Sequence, residues 1–342
     1  MKYYLICDCR ENYKNYSSKD DSLAYNDHPS MSNMHEVLKS MQELGYDCEY
    51  FGGIPELIHA VDTHMKFIDC RFINFTDGMD QNYSRVQAPA LLDILNVPYS
   101  GSGVFASVLM NNKHYCKQAL LSHNIPMPRS NIINKNIPFT KSMINSWSYP
   151  IFVKPNCEGS SLGISHQNVC HTYNDICQTT QYLLNQFNEI IVEEFVSGID
   201  ITNFLIGNNG EYLINDIIIA QLNDPSPYAV YGMNEKHKKL RTLYFNEEKL
   251  DNTILKKIKQ TSIQIANIIG AYDICRIDYR YNFKQKQYSF LEINSAPRFS
   301  SSSEIGFIAK KRNLSFATIL NMYISTFNKR IEIEISNHGH IQ

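Results

Sequence analysis

Two short runs near the C-terminal end, residues 274–279 and 288–297, constrain the fold more than any other stretch of the 342 residues. Both runs alternate polar and apolar residues, and successive side chains of a β-strand point to opposite faces of a sheet. The polar residues that a hairpin of these runs would place on one face are Arg276, Asp278, Glu292 and Asn294. Two carboxylates and an amide suit Mg²⁺ that holds a polyphosphate. An amphipathic hairpin with a solvated polar face stays open at this point.

The length of the chain predicts two or three domains, because a single compact core seldom extends beyond roughly 250–300 residues. Lysine and arginine number 32 against 34 aspartate and glutamate, a net charge of −2 without blocks of like charge. This balance disfavours nucleic acid and anionic membranes as partners and favours small molecules. The nine cysteines are an odd number without a CxxC pair, which indicates reduced thiols in the cytoplasm. No apolar run approaches the roughly 18 residues that span a bilayer.

The N-terminal part alternates strand and helix patterns. Strands are predicted at residues 3–7, 46–51 and 72–75, and helices at 32–45, capped by Ser32, and at 55–65. This rhythm is typical of a small parallel sheet with helices on its faces. The polar stretch at 10–29 is predicted to be a long loop.

A lysine lies inside an apolar strand-like run at residues 150–155, directly before the glycine- and serine-rich stretch 156–163. Because a lysine is rarely buried without an anionic partner, Lys154 is a candidate ligand of phosphate. The small residues that follow leave hydroxyl and N–H groups free to approach phosphate oxygens. A snorkelling lysine before a plain turn is the other interpretation. The Gly-Ser-Gly at 101–103 is similarly either an anion site or a helix cap.

Strand patterns continue in the C-terminal half. Residues 190–200 are predicted to form a strand in which Glu193 and Glu194 point to opposite faces, although a solvated edge strand is the alternative. The runs at 201–206 and 212–220 predict an antiparallel meander. The remaining predicted segments are a long loop at 221–246, a helix at 247–270 and helical segments up to about residue 329.

Taken together, these segments resemble the ATP-grasp superfamily, and within it the D-alanine–D-alanine ligases and their relatives. The matching elements are residues 98–103 (PYSGSG), 112–113 (NK), 153–155 (VKP), 158–163 (EGSSLG), 192–194 (VEE) with 197–198 (SG), 276–278 (RID) and 291–294 (LEIN) with Pro297. They follow one another across about two-thirds of the sequence. Each element alone is weak, but seven in register are specific.

The resemblance implies an α/β fold with α+β elements, the ATP-grasp fold, in three domains. The implied ranges are an N-terminal parallel α/β domain at 1–98, a central domain with a phosphate lid at 99–189, a C-terminal domain with the metal site at 190–330, and a tail at 331–342. ATP would lie between the central and C-terminal domains.

The resemblance also implies a role for each matching residue. Those implied to contact ATP are Lys113, Lys154, Ser160, Ser161, Glu193, Glu194, Val196, Asp200 and Lys236, the last chosen from the lysines at 236, 238 and 239. Asp278, Glu292 and Asn294 match the ligands of two Mg²⁺ ions, for which Mn²⁺ is the alternative. Arg276 matches the arginine that steadies a developing oxyanion, and Ser161 is assigned to catalysis with it.

Two departures from the family pattern concern the substrates. The Gly-Gly/Ser/Glu motif, whose glutamate helps hold the first D-alanine, and a later His-Gly motif are not recognisable, and residues 74–79 read NFTDGM. Arg298 occupies the position of a glycine whose N–H serves the oxyanion hole, so it is predicted to pair a substrate carboxylate or phosphate. Ser303 aligns with the serine that binds the second substrate, although a solvated serine-rich linker is the alternative.

The predicted function is therefore that of an ATP-dependent ligase that joins a carboxylate to an amine through an acyl phosphate and releases ADP and phosphate. The expected substrates are an amino acid, a peptide or a specialised metabolite. The alternatives are a genuine D-alanine–D-alanine ligase and a catalytically silent nucleotide-binding regulator. The resemblance further implies a homodimer formed through the N-terminal domain.

Overall fold

A computed structural model describes residues 1–13, 28–79, 83–159, 161–245 and 249–338. Ser160, which is predicted to contact ATP, lies outside the described residues. Most of the loop predicted at 10–29 and the end of the predicted tail, residues 339–342, also lie outside them.

Helices and strands alternate through most of the chain. The strands are β1 (Lys2–Ile6), β2 (Cys48–Gly52), β3 (Cys70–Asn74), β4 (Ser130–Asn134), β5 (Ile151–Pro155), β6 (Val169–Cys170), β7 (Glu189–Glu194), β8 (Ile199–Asn208), β9 (Glu211–Leu222), β10 (Arg241–Phe245), β11 (Ile274–Asn282) and β12 (Gln287–Asn294). The α-helices are α1 (Arg10–Tyr13), α2 (Met31–Glu43), α3 (Ile54–Asp62), α4 (Gln87–Leu95), α5 (Val104–Asn111), α6 (Lys113–Leu120), α7 (Tyr173–Leu184), α8 (Met233–His237), α9 (Asn252–Ile269), α10 (Glu304–Lys311) and α11 (Phe316–His338). Short 3₁₀ turns lie at Ser84–Val86, Leu121–His123, Lys141–Ile144 and His166–Asn168.

The N-terminal region forms a parallel three-stranded sheet in the order β2-β1-β3, which confirms the predicted parallel sheet. Parallel neighbours need crossover connections, and α2 and α3 occupy those connections. The helix α2 begins two residues earlier than predicted, because Ser30 rather than Ser32 is its N-cap. The Ser30 hydroxyl accepts a hydrogen bond from the Asn33 N–H.

A second sheet of four strands, in the order β4-β7-β5-β6, forms the middle of the chain. Its neighbouring strands are antiparallel, and α7 packs on one face. Thr172 caps α7 through a reciprocal capping box with Asp175. Val153, Ile176 and Val192 lie in the shared core beneath the helix. The sheet therefore presents its other face, which carries Lys154, toward the rest of the molecule.

A third, antiparallel sheet of five strands has the order β10-β9-β8-β11-β12. The predicted meander is confirmed, since β8 and β9 pair with Asp200 opposite Ala220. The helix α9 packs against this sheet through a buried stripe that includes Ile258 and Ile265. It ends at Gly270, whose φ of +77° is a left-handed conformation that glycine adopts without steric cost.

The C-terminal helix α11 joins the first sheet to the third. The Tyr323 hydroxyl donates to the Ser100 hydroxyl over 2.7 Å, and Arg330 forms an ion pair of 2.8 Å with the fully buried Asp273. Side chains of both sheets and of α11 share one core. The helix continues past residue 330 to His338. This packing holds the parallel sheet against the sheet that carries the hairpin.

Residues 221–246 are not the long loop that the sequence predicts, because α8 and β10 lie within them. Strand β10 pairs with β9, with Arg241 opposite Leu222. Its sequence has no clear alternation, so it becomes a strand through that long-range pairing rather than through local propensity. The loop predicted at 10–29 likewise begins with a short helix, α1.

Candidate active site

One cleft of about 480 Å³ lies between the three sheets. It is lined by all the predicted site residues that the structure describes: Lys113, Lys154, Ser161, Glu193, Glu194, Val196, Asp200, Lys236, Arg276, Asp278, Glu292, Asn294, Arg298 and Ser303. The first and last of these residues, Lys113 and Ser303, lie more than 180 positions apart in the sequence, and the tertiary fold brings them to one cleft.

The hairpin of β11 and β12 forms as predicted, with Arg276 opposite Asn294 and Asp278 opposite Glu292. The Arg276 guanidinium binds Asp278 through two hydrogen bonds of 3.0 Å and 2.8 Å. The Asn294 amide and the Thr202 hydroxyl also donate to Asp278, over 3.1 Å and 2.9 Å. Asp278 is therefore the centre of a polar network on the cleft face of the sheet.

The two hairpin carboxylates differ in acidity. Burial raises the pKa of Asp278, although Arg276 opposes the shift. For Glu292, burial acts in the same direction, but Lys113, Lys154 and Arg276 outweigh it and lower the pKa to about 2. The Lys113 ammonium lies 3.3 Å from Glu292 Oε2. Glu292 is thus a fixed negative charge that faces cations.

A buried ionic cluster forms the wall on the side of the second sheet. The Lys154 ammonium lies 2.6 Å from Glu193 Oε1, and the Lys117 ammonium contacts the other oxygen. All three side chains are at most 5% exposed. Sequence reasoning missed Lys117, although its position one helical turn after Lys113 was an available signal. Lys154 is therefore held by an anionic partner and does not snorkel.

The tandem glutamates point in different directions, as strand alternation predicts. Glu193 is buried, whereas Glu194 makes a bidentate ion pair with Arg129 and retains 26% side-chain exposure. Both line the cleft, which Val196 also borders. The solvated-edge alternative does not hold for Glu193, because its strand β7 lies between β4 and β5.

The glycine-serine loop meets a second loop over the cleft. The Ser161 hydroxyl donates to the Tyr231 carbonyl oxygen over 2.7 Å, and the Met233 N–H donates to the Ile164 carbonyl oxygen over 3.3 Å. A Cβ added to Gly232 would come within 2.6 Å of Ile164 O, so only glycine permits this approach. Lys236 follows in α8. The two loops thus form a joined cover.

An arginine that sequence reasoning missed lies at the opposite end of the cleft. Arg280 is 7% exposed, and its guanidinium donates to the Ala229 and Gly198 carbonyl oxygens. Its Nε lies 3.6 Å from Asp200 Oδ1, and its charged group lies 5.3 Å from the centre of the Phe195 ring. Its place two residues after Asp278 on the same strand, and therefore on the same face, was the signal. Arg280 therefore places a buried positive charge beside Asp200.

Arg298 and Ser303 border the third side of the cleft. Ser303 is the N-cap of α10, and its hydroxyl donates to the Ser300 carbonyl oxygen over 2.8 Å. Next to it, Glu304 forms an ion pair with Arg241. The serine-rich run is therefore an ordered turn at a helix start and not a solvated linker.

The residues present fit a divalent cation of the magnesium type. Asp278, Glu292 and Asn294 offer oxygen donors on one sheet face, which is the chemistry that Mg²⁺ prefers. Across the described ranges, no group of three or more His, Cys, Asp or Glu residues could hold a metal. The candidate metal ligands are therefore two carboxylates and the amide of Asn294. The remaining coordination positions of the ion would be open to phosphate oxygens of a nucleotide.

The whole fold is similar to that of known ligases. The structure of a D-alanine–D-alanine ligase from Bacillus anthracis complexed with ATP has a TM-score of 0.73 at 15% identity, and the match covers 98% of this chain and 99% of that one. The VanG D-Ala:D-Ser ligase from Enterococcus faecalis has a TM-score of 0.69 at 16% identity, covering 95% and 99%. These matches show the ATP-grasp fold, and the sequence relatives, which are named as ligases, show the class of the enzyme, an ATP-dependent carboxylate–amine ligase.

The sequence comparison identifies the family. The family described as "D-ala D-ala ligase C-terminus" matches residues 122–325, and the chain belongs to it. A D-alanine–D-alanine ligase from Aquifex aeolicus is 28% identical over 297 residues, which are 84% of this chain and 92% of that protein. In the part of the chain that the structure describes, none of the helices has the length and apolar character needed to cross a membrane.

Proposed function

We propose that this ligase joins two small molecules other than a pair of D-alanines, namely an amino acid, a peptide or a specialised metabolite. The observation that carries this proposal is the cleft itself. It combines the phosphate-type cations Lys113 and Lys154 with the Arg276–Asp278 hairpin, yet it places Arg298 where the family pattern has glycine.

In this proposal ATP lies between the second and third sheets. Lys113, Lys154 and Lys236 contact its phosphates, and the loop with Ser160 and Ser161 covers them. Glu193, Glu194, Val196 and Asp200 line the adenine and ribose side. This assignment is supported by the cationic end near Lys113 and the carboxylate end near Asp200 in one continuous cleft.

Asp278, Glu292 and Asn294 are the residues that would hold two Mg²⁺ ions, or Mn²⁺. When bound, the ions neutralise the charge that develops on the phosphate oxygens during phosphoryl transfer. Lys113 lies 3.3 Å from Glu292, so the ammonium keeps this carboxylate ionised and ready to act as a ligand.

The reaction would proceed in two steps. An oxygen of the donor carboxylate attacks the γ-phosphorus of ATP, the bond to ADP breaks, and an acyl phosphate forms. The amine nitrogen then attacks the acyl carbon, phosphate leaves with the bonding electrons, and the nitrogen loses a proton. Arg276 stabilises the oxyanion of the tetrahedral species, because its guanidinium is fixed by Asp278. The joined loops at Ser161 and Tyr231 exclude water from the acyl phosphate.

The second candidate is a D-alanine–D-alanine ligase of cell-wall synthesis. The names of the curated relatives favour it, including those from Aquifex aeolicus and from Desulforamulus reducens, the latter 28% identical over 241 residues. A silent nucleotide-binding regulator is disfavoured, because Asp278, Glu292 and Asn294 are all present on the cleft face.

Three further assignments belong to the proposal. The domains are residues 1–98, 99–189 and 190–330. The first contains the parallel sheet and the third contains the five-stranded sheet, whereas β7 of the four-stranded sheet crosses the boundary between the second and third ranges. A homodimer is supported by the exposed Ile58 on α3 and Ile94 on α4, two helices that pack side by side. A reducing, cytoplasmic environment agrees with the nine cysteines, which are free.

A phosphate-release screen tests the function. Purified enzyme with Mg²⁺ and ATP is offered pairs of amino acids, dipeptides and other amines and carboxylates, and products are identified by mass. We expect phosphate release that requires both partners and a product with the mass of their condensation. Brisk release with D-alanine alone, giving its dipeptide, would establish the second candidate. Binding of ATP without phosphate release for every pair would support the silent regulator.

A further inference from the structure

The cations of the cleft are almost all neutralised by carboxylates of the chain itself. The eight cationic side chains that line it are Arg85, Lys113, Lys154, Lys236, Arg241, Arg276, Arg280 and Arg298. The ion pairs that six of them form are Arg85–Asp77, Lys113–Glu292, Lys154–Glu193, Arg241–Glu304, Arg276–Asp278 and Arg280–Asp200. Lys236 also has an interaction within the protein. Within the described ranges Arg298 has neither an ion pair nor a hydrogen bond to its side chain.

The backbone on both sides of Arg298 is firmly held. Pro297 and Phe299 are buried, whereas Arg298 between them is exposed. The Phe299 ring packs 5.6 Å from Phe75 of the N-terminal domain and 5.6 Å from Tyr323 of α11. Arg298 is therefore an exposed cation on a rigid support that projects from the junction of two domains.

No carboxylate of the described residues pairs with Arg298, and the nearby Glu36 of α2 instead accepts a hydrogen bond of 3.3 Å from the Ser301 N–H. Glu304, which follows Arg298 by six residues, already binds Arg241. Asp77, which lies on the N-terminal wall of the cleft, already binds Arg85. The other N-terminal residues that line the cleft are apolar, among them Met34 and Phe75. A guanidinium left unpaired beside an apolar wall can bind an incoming carboxylate or phosphate through two parallel hydrogen bonds.

We propose that Arg298 binds a second anionic group, a carboxylate or a phosphate ester, on one of the two substrates, so that the ligase selects an acidic small molecule. This inference rests on the proposed ligase function, in which Arg276 stabilises the oxyanion of the tetrahedral species. Because Arg276 already serves the oxyanion, the charge of Arg298 is available for a further anionic group of the substrate. An acidic side chain thereby distinguishes the substrate from D-alanine.

Matched substrate pairs test the proposal with the full-length enzyme, Mg²⁺ and ATP. The pairs are aspartate with asparagine, glutamate with glutamine, and phosphoserine with serine, in both stereochemical forms, each offered as donor and as acceptor in phosphate-release assays. We expect the acidic member of one pair to be favoured in kcat/KM by about tenfold to a hundredfold, as a charge-assisted hydrogen-bond pair provides. The aspartate and phosphoserine arms distinguish a carboxylate from a phosphate.

Two variants assign the preference to Arg298. Arg298→Gln should bring the acidic-to-neutral ratio of kcat/KM close to one, mainly through a higher KM for the acidic substrate. Arg298→Glu should reverse the preference, so that 2,3-diaminopropionate is used better than asparagine. The matched control is Lys310→Gln, because Lys310 is an exposed cation on α10 that does not line the cleft. It should keep the wild-type ratio.

Different results would contradict the preference for an acidic substrate and the ligase function. Equal use of acidic and neutral members by the wild type, or an unchanged ratio in Arg298→Gln, would overturn the inference while the ligase function stands. Absence of phosphate release with every pair would overturn the ligase function, and the inference with it.

Discussion

The ammonium of Lys154 lies 2.6 Å from Glu193 Oε1 on adjacent strands, and both side chains are almost completely buried. Burial by itself would raise the pKa of Glu193, but Lys117 and Lys154 together lower it. The strands β5 and β7 thus place a fixed positive charge at the cleft wall, and its position depends on a carboxylate that is not itself exposed to solvent.

Glu193→Gln should destabilise the protein strongly. The substitution leaves the ammonium groups of Lys117 and Lys154 buried without a counter-charge, and breaking a buried ion pair in this way costs about 3–5 kcal/mol. Urea unfolding followed by circular dichroism measures the loss. The adjacent Glu194→Gln is the matched control. Its pair with the 52% exposed Arg129 is largely solvated, and its loss should cost about 1 kcal/mol or less. Equal losses for the two variants would contradict the buried cluster.

Arg280→Met should raise the KM for ATP by roughly tenfold, because Asp200 loses the cation beside it and one charge-assisted contact is worth about this factor. The Ala229 and Gly198 carbonyls also lose their donor. Steady-state phosphate release at varied ATP gives the KM. Lys284→Met, at the exposed turn of the same hairpin, controls for the change in charge. A KM that stays at the wild-type value would remove Arg280 from the nucleotide end.

Glu292→Gln should reduce kcat by at least about a thousandfold, since in the proposed site this carboxylate would hold the Mg²⁺ that neutralises oxygen charge during phosphoryl transfer. The amide also weakens Mg²⁺ binding, which calorimetric titration of the enzyme with Mg²⁺ and ATP would detect. Glu211→Gln, an exposed position at the far turn of the third sheet, should behave as wild type. Turnover retained in Glu292→Gln would remove the metal assignment.

Asp8 should make the folded state less stable as the pH rises. Burial raises the pKa of Asp8 from 3.8 to about 6, although a hydrogen bond of 2.8 Å from the Ile54 N–H opposes the shift. The folded state therefore binds the proton more tightly than the unfolded state does. Between about pH 4 and pH 6 this linkage lowers the free energy of unfolding by up to about 3 kcal/mol.

The Asp8→Asn variant tests this linkage by urea unfolding at pH 5 and pH 8. We expect its stability to change less between the two pH values than that of the wild type. Asp62→Asn, an exposed carboxylate at the end of α3, should preserve the wild-type difference. An identical pH dependence in Asp8→Asn and wild type would show that Asp8 is ionised in the folded state throughout this range.

Local patterns sufficed for several parts of the molecule. The alternation around Arg276 and Glu292 predicts a hairpin with one polar face, and the hairpin forms with that face in the cleft. Alternation also separates Glu193 from Glu194, because neighbouring side chains of any strand must point to opposite faces. The alternation of strand and helix segments in the N-terminal part predicts its parallel sheet, because a helical crossover lets consecutive strands run in the same direction.

Other features depended on contacts between distant segments. Strand β10 exists because β9 offers it a partner, and its own residues do not alternate. Arg85 lines the cleft only through packing between distant segments, and the sequence held no signal for it. Lys117 and Arg280 each had a local signal, but their ion pairs with Glu193 and Asp200 depend on the same long-range packing. The hydrogen bond from the Ser161 hydroxyl to the Tyr231 carbonyl oxygen also joins distant segments, which are 70 residues apart.

The amino-acid sequence by itself therefore determined many of the strands and helices, the family resemblance and the residue types of the site, because strand alternation and motif spacing are local properties. Only the tertiary structure decided which charges meet. Ion pairing acts through space and depends on which side chains a fold brings within a few ångströms. That pairing neutralises the other arginines of the cleft and leaves Arg298 exposed without a partner among the described residues.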